Sequence, residues 1–156
     1  MKTFKTAIYT NMAALIGIIS SLASCSIESS DNGELDGFWH LEEVDTLATG
    51  GKADLSEWRV FWGVQHKLIS IKNYEAGSFY CRFQQTADSL IISALYLNHG
   101  HQDNGEDGGD IPVSEINDSL RNCGINHLEE HFCKEYLSSG DLTLKNKEYR
   151  LRFKKF

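Results

Sequence analysis

The sequence predicts an all-β domain: a small eight-stranded up-and-down barrel with one short helix. Three observations carry that expectation. From Asp36 onward, short runs alternate apolar and polar residues with period two, the spacing of half-buried strands. Turn-forming residues separate those runs at short intervals. The end of the chain reads as a hairpin with a polar outer face. A meander of eight such strands can close on itself and so remove its exposed edges.

The first strand is Phe38–Val44, with Trp39 and Leu41 on one face and His40 and Glu42 on the other. A Gly- and Ala-rich loop around Thr49-Gly50-Gly51 follows. In Trp58–Trp62, residues Trp58, Val60 and Trp62 face one way, and Gly63 breaks the run. Lys67–Lys72 resumes with poorer alternation. Ser78–Gln85 is cleaner, with Phe79, Cys81 and Phe83 on one face and Tyr80, Arg82 and Gln84 on the other. After a turn at Ala87-Asp88, Leu90–Leu97 places Leu90, Ile92, Ala94 and Tyr96 in line.

Asn98–Asp110 is a loop with four glycines and four acids. Pro112 opens a helix over Val113–Asn122, with Ile116, Leu120 and Cys123 on one stripe and Gly124 as its stop. Phe132–Leu137 is the next strand. Leu142 and Leu144 then alternate with Thr143 and Lys145, a turn falls at Asn146-Lys147, and Tyr149, Leu151 and Phe153 complete the last strand. Their apolar faces read first as core, because burying large apolar side chains drives folding.

Ahead of this domain, residues 1–24 read as a secretory signal. Lys2 and Lys5 precede an apolar stretch, Met12–Ile19, that polar residues interrupt too early for a membrane span. Leu22-Ala23-Ser24-Cys25 resembles the bacterial lipobox, which implies a signal peptide cut before Cys25 and several acyl chains, palmitate among them, on that cysteine. Two or more chains anchor a protein stably. Ser26 follows rather than Asp, so the expected location is the outer membrane, on a side left open. Residues 25–35 read as a flexible tether to a domain at 36–156.

Losing Lys2 and Lys5 with the leader deepens the net charge from −7 to −9. That balance excludes nucleic acid, whose phosphates it would repel, and electrostatic attachment to anionic lipid.

Gly37-Phe38-Trp39 resembles the G-x-W signature of lipocalins, in which an Arg of the last strand packs across the Trp. The resemblance implies that role for Arg150 or Arg152. The stretch from Tyr136-Leu137-Ser138-Ser139 to the C-terminus is similar to small lipocalin-like lipoproteins of Bacteroidetes. A lipocalin-like barrel implies a carrier for a small apolar or amphipathic ligand, with Trp39, Trp58, Trp62, Phe79, Phe83 and Tyr96 lining the interior. The alternative is a packed barrel acting as a protein–protein interaction module, with Asn98–Asp110 contacting another envelope protein. Neither version needs a cofactor or a catalytic residue.

Three constellations invite chemistry. His127-Leu128-Glu129-Glu130-His131 fits H-x-x-E-H, the inverted zinc-protease motif. There a helix would set His127 and His131 one turn apart as zinc ligands with Glu130 beside them as base, a remote third reading as a metal-dependent hydrolase. The segment after His131 reads as strands, so a loop or strand entry is expected there instead. Asp103–Asp110 carries calcium-ligand oxygens but departs from the EF-hand at Gly105 and Ser114. His99 and His101 add a weak zinc pattern, and a solvated loop is the simpler account. Cys123 and Cys133 either pair in an oxidising compartment, leaving Cys81 buried, or all three stay free.

Overall fold

The alternating runs pair in sequence order, each antiparallel to the one before it, and the last returns to pair with the first. The computed structural model describes residues 30–99 and 111–156. Its strands are β1 (Gly37–Thr46), β2 (Gly51–Asp54), β3 (Val60–Gln65), β4 (Leu68–Asn73) and β5 (Gly77–Gln85). After them come β6 (Ser89–Leu97), β7 (Ile111–Pro112), β8 (Glu130–Leu137), β9 (Asp141–Lys145) and β10 (Tyr149–Lys155). Eight of them close a barrel; β2 and β7 are short additions that pair with the ends of β1 and β6. The predicted meander is therefore correct in order and in closure.

Several boundaries differ, each for a local reason. The loop expected at Thr49-Gly50-Gly51 is a hairpin turn, with Gly50 at φ +68° leading into β2. The chain must then double back before β3, so Trp58 falls in that turn, where its N–H donates to the carbonyl of Leu55. Gly63 does not break the strand; it continues β3 opposite Phe38. Within β6, Ala94 is the extra residue of a bulge at φ +50°, which places Ser93 opposite Arg82 and Leu95 opposite Cys81. A one-residue insertion reverses the facing of all that follows. Leu95 consequently enters the core and Tyr96 turns outward beside Tyr80.

The predicted helix shrinks to Asp118–Arg121, because Asn117 caps it by accepting from the N–H of Leu120 at 3.0 Å. Pro112 belongs to β7. Gly124 does end the helix, at φ +85°, and a Cβ there would stand 2.8 Å from Leu151.

Among the described residues, a segment covers each end of the barrel. At one end Gly33–Leu35 forms a 3-10 turn that pushes Leu35 into the core. Residues 30–35, expected as tether, are thus part of the fold, while 25–29 lie outside the described residues. Asp36 holds this segment in place, accepting from the Ser30 hydroxyl at 2.6 Å and the Asn32 amide at 2.7 Å. At the other end the long connection from β7 to β8 buries Leu120, Cys123 and Ile125.

Trp39 sits on the floor, donating its indole N–H to the Leu35 carbonyl at 2.8 Å. The cation over its ring is Lys155, 4.7 Å from the centroid. Arg150 and Arg152, expected in that role, point outward because strand parity places them opposite Asp45 and Glu43. Gly37 makes room for this arrangement. At φ +133° it would strain any other residue, and a Cβ would stand 2.7 Å from the Lys155 stem. Gly37→Ala is expected to cost roughly 1–3 kcal/mol of stability, read as a lowered denaturation midpoint.

Outside the seam where β1 meets β10, charges alternate across strands. Arg152 bonds Glu43 and reaches Asp45 at 2.9 Å, while Arg150 bonds Glu135 at 2.6 Å. The Arg152 hydrogen bond holds Asp45 below the usual carboxylate range, and the Arg150 hydrogen bond does the same for Glu135. Because folding lowers both values, the unfolded chain takes up protons first as pH falls. The stabilisation is complete above about pH 4–5 and lost as pH drops through the folded values. Denaturation curves across that range should show the loss, and the double variant Arg150→Ala with Arg152→Ala should flatten it. An unchanged slope would assign the acid sensitivity elsewhere.

Candidate functional site

The barrel interior is the site that the alternation predicts, and four of its six expected residues are there. Trp39, Trp62, Phe79 and Phe83 point inward and are 0–3% exposed. Trp58 is instead 48% exposed outside the barrel, because it precedes β3. Tyr96 is outward and half-buried, because of the bulge at Ala94.

A residue lining an open ligand cavity keeps accessible surface, and these four keep almost none. Trp62 packs against Phe153 at 5.0 Å and against the edge of Phe132 at 6.2 Å. Its indole N–H donates to the Cys123 carbonyl at 3.1 Å, so the segment that seals the barrel mouth is bonded to the core beneath it. Together with the Trp39 bond to Leu35, this leaves both buried indoles satisfied by backbone. Ligand pockets need room and a few free polar groups. Among the described residues, the interior offers close-packed side chains.

The H-x-x-E-H stretch is not a helix. Residues 127–129 lie in a bend, and Glu130 and His131 begin β8. Glu130 is 2% exposed and accepts the N–H groups of Asn126 at 2.6 Å and His127 at 2.9 Å, and the Asn146 amide at 3.0 Å. It ties the entry of β8 to the β9–β10 turn, a structural task that occupies both carboxylate oxygens. His127 pairs with Glu148 at 3.4 Å and His131 with Glu129 at 2.6 Å, around a surface cleft of about 410 Å³. Among the described residues, no group of three or more His, Cys, Asp or Glu is placed to hold a metal. Asp103–Asp110, His101 and Cys25 lie outside the described residues.

Cys81, Cys123 and Cys133 are free. The expected pair is apart: Cys123 is buried in the connection that follows the short helix, and the parity of β8 puts Cys133 on the outer face. Burial pushes the Cys81 and Cys123 thiols up to about 12. In a Cys25→Ala chain, Cys133 should therefore react with a thiol reagent in the native state, and the other two only on unfolding. Mass spectrometry of labelled peptides reads the outcome.

What the sequence reading missed is on the outside. Two Phe-Trp dipeptides lie on adjacent strands, with Trp39 opposite Trp62 and Phe38 opposite Gly63. Parity sends both indoles in and both phenyl rings out. Phe38 stacks on Phe61 at 4.9 Å, Phe61 stacks on His40 at 4.8 Å, and Phe156 meets Phe61 edge-on at 5.6 Å. Tyr74 extends the strip, with Arg59 lying 3.9 Å over its ring. The bare surface of Gly63 beside Phe38 opens a shallow groove of about 550 Å³, lined also by Ser30, Asp36, Ser70 and Lys72. The signal for this strip was the aromatic neighbour of each inward Trp.

Over residues 20–156 the sequence matches the family described as a lipocalin-like domain. Among solved structures the chain is similar to a lipocalin-like protein from Bacteroides uniformis ATCC 8492, at 20% identity and a TM-score of 0.58, over 80% of this chain and 100% of that one. It is also similar to an uncharacterized protein from Bacteroides eggerthii DSM 20697, at 20% identity and a TM-score of 0.49, over 78% of this chain and 98% of that one. No curated protein matches the sequence. At this identity, the first structural likeness supports the barrel and its strand order.

Proposed function

Because the chain belongs to the family of lipocalin-like domains, we propose that it acts as a packed barrel that recognises an envelope partner on its outer surface. A lipid on Cys25 holds it to the outer membrane, and it carries out no catalysis of its own. One observation supports this reading over a small-ligand carrier: Trp39 and Trp62, at the centre of the interior, are 0% and 1% exposed. Admitting an apolar ligand would require parting side chains that already fill the space at both sealed ends, and packed interiors resist such change.

The outer surface therefore carries recognition, and loops are where a rigid scaffold places it. The connection Asn98–Asp110 leaves β6 at the barrel end opposite Ser30, rich in acid and glycine. Pull-down from intact envelopes compares the full chain with a variant in which residues 99–109 are replaced by a short Gly-Ser link. Loss of specific partners with unchanged thermal stability is the expected result. Identical partners from both chains would remove the loop from the interaction.

A further inference from the structure

We propose that the aromatic strip on the outer wall, centred on Phe38, Phe61 and Phe156, is the face that rests against a lipid bilayer. The inference rests on the lipid anchor at Cys25 and adds an orientation to it.

The strip is unusual for an outer wall. Phe156 is 86% exposed, Tyr74 56% and Trp58 48%. Trp58 joins the strip through its carbonyl, which accepts from His40 Nε2 at 2.6 Å. Along the seam of β1 with β10 and on toward β8 the outer face instead carries ion pairs, through Glu43, Arg152, Asp45, Arg150 and Glu135. One wall is therefore aromatic and another charged. Phenyl groups flanked by Trp and Tyr, with a guanidinium over the Tyr ring, form the composition that settles at the headgroup boundary.

The attachment point selects lipid as the occupant. Ser30 is pinned beside this wall: it donates to Asp36, and its hydroxyl accepts from the His66 N–H at 2.7 Å. It also lines the same groove as Phe38. Four residues lie between it and Cys25, so the five steps reach at most about 18 Å fully extended. Acyl chains on Cys25 would thus enter the bilayer close to the strip. Holding the strip near the surface raises its effective concentration there, so weak apolar contacts suffice for docking. The negative charge of the chain, −7 in full and −9 once Lys2 and Lys5 leave with the leader, means that contact is apolar rather than electrostatic, and a zwitterionic surface serves.

Trp58 is a built-in probe, since Trp39 and Trp62 are too buried to be reached. The lipidated full chain is reconstituted into phosphatidylcholine vesicles containing lipids brominated along the acyl chain. Quenching of the Trp58 emission is expected, insensitive to salt, absent in Trp58→Phe, and relieved by Phe38→Ser with Phe156→Ser. In a Trp58→Phe background, Tyr136→Trp on β8, which lies opposite β3 in the ring, should stay unquenched. Fatty-acid analogue labelling, lost in Cys25→Ala, is run on the same samples. Labelling without Trp58 quenching, or equal quenching on both walls, overturns the docking and leaves the anchor. Failure of labelling overturns the anchor and the docking with it. Trp58 shielded from soluble quenchers yet untouched by brominated lipid would mean that a protein covers the strip, and also refutes it.

Discussion

The pairing of β10 with β1 is the constraint on which the rest of the molecule depends. It runs from Trp39 opposite Lys155 to Thr46 opposite Tyr149 and leaves the ring without an open edge. Once eight strands close at this size, the inward side chains of every strand compete for one narrow volume. Trp39, Trp62, Phe132 and Phe153 are large enough to fill it. The same seam brings Lys155 over Trp39 and forces position 37 to be glycine, so closure, floor and motif are a single arrangement.

With Trp39 and Trp62 at 0% and 1% exposure, the filled interior leaves the outer surface as the accessible part of the barrel. The two ends are closed by segments bonded to the buried indoles, through the carbonyls of Leu35 and Cys123. Such bonds are cheap to keep and costly to break, because a buried N–H left unpaired loses about 1–3 kcal/mol. The outer wall, by contrast, is divided into a charged sector at the seam and an aromatic sector over β1 and β3. That division has no counterpart in what a core needs.

Much of this was legible in the residues. Alternation located all eight barrel strands to within a few positions, and the G-x-W stretch marked the floor. Errors arose where one residue changes parity. Ala94 looks like an ordinary strand position, yet as a bulge it moved Tyr96 out and Leu95 in. Trp58 shares period two with Val60 and Trp62, but the added hairpin of β2 consumed the chain that would have carried it into the strand. At Glu130 a motif suggested a base, while burial and three hydrogen bonds make it a tie between two turns. The outer aromatic strip went unread because an apolar residue beside an inward Trp resembles general hydrophobicity until pairing shows which way it faces.

By itself the sequence determined the all-β class, the strand order and most of the core candidates. These follow from period, turn chemistry and position, which are local properties. Only the tertiary structure decided that the interior is full, that Lys155 rather than an arginine covers Trp39, and that the two Phe-Trp dipeptides stack their phenyl rings outside. Those are consequences of register between distant strands. A single inserted residue reverses the facing of all that follows it, and no local signal along one strand reveals its partner's register.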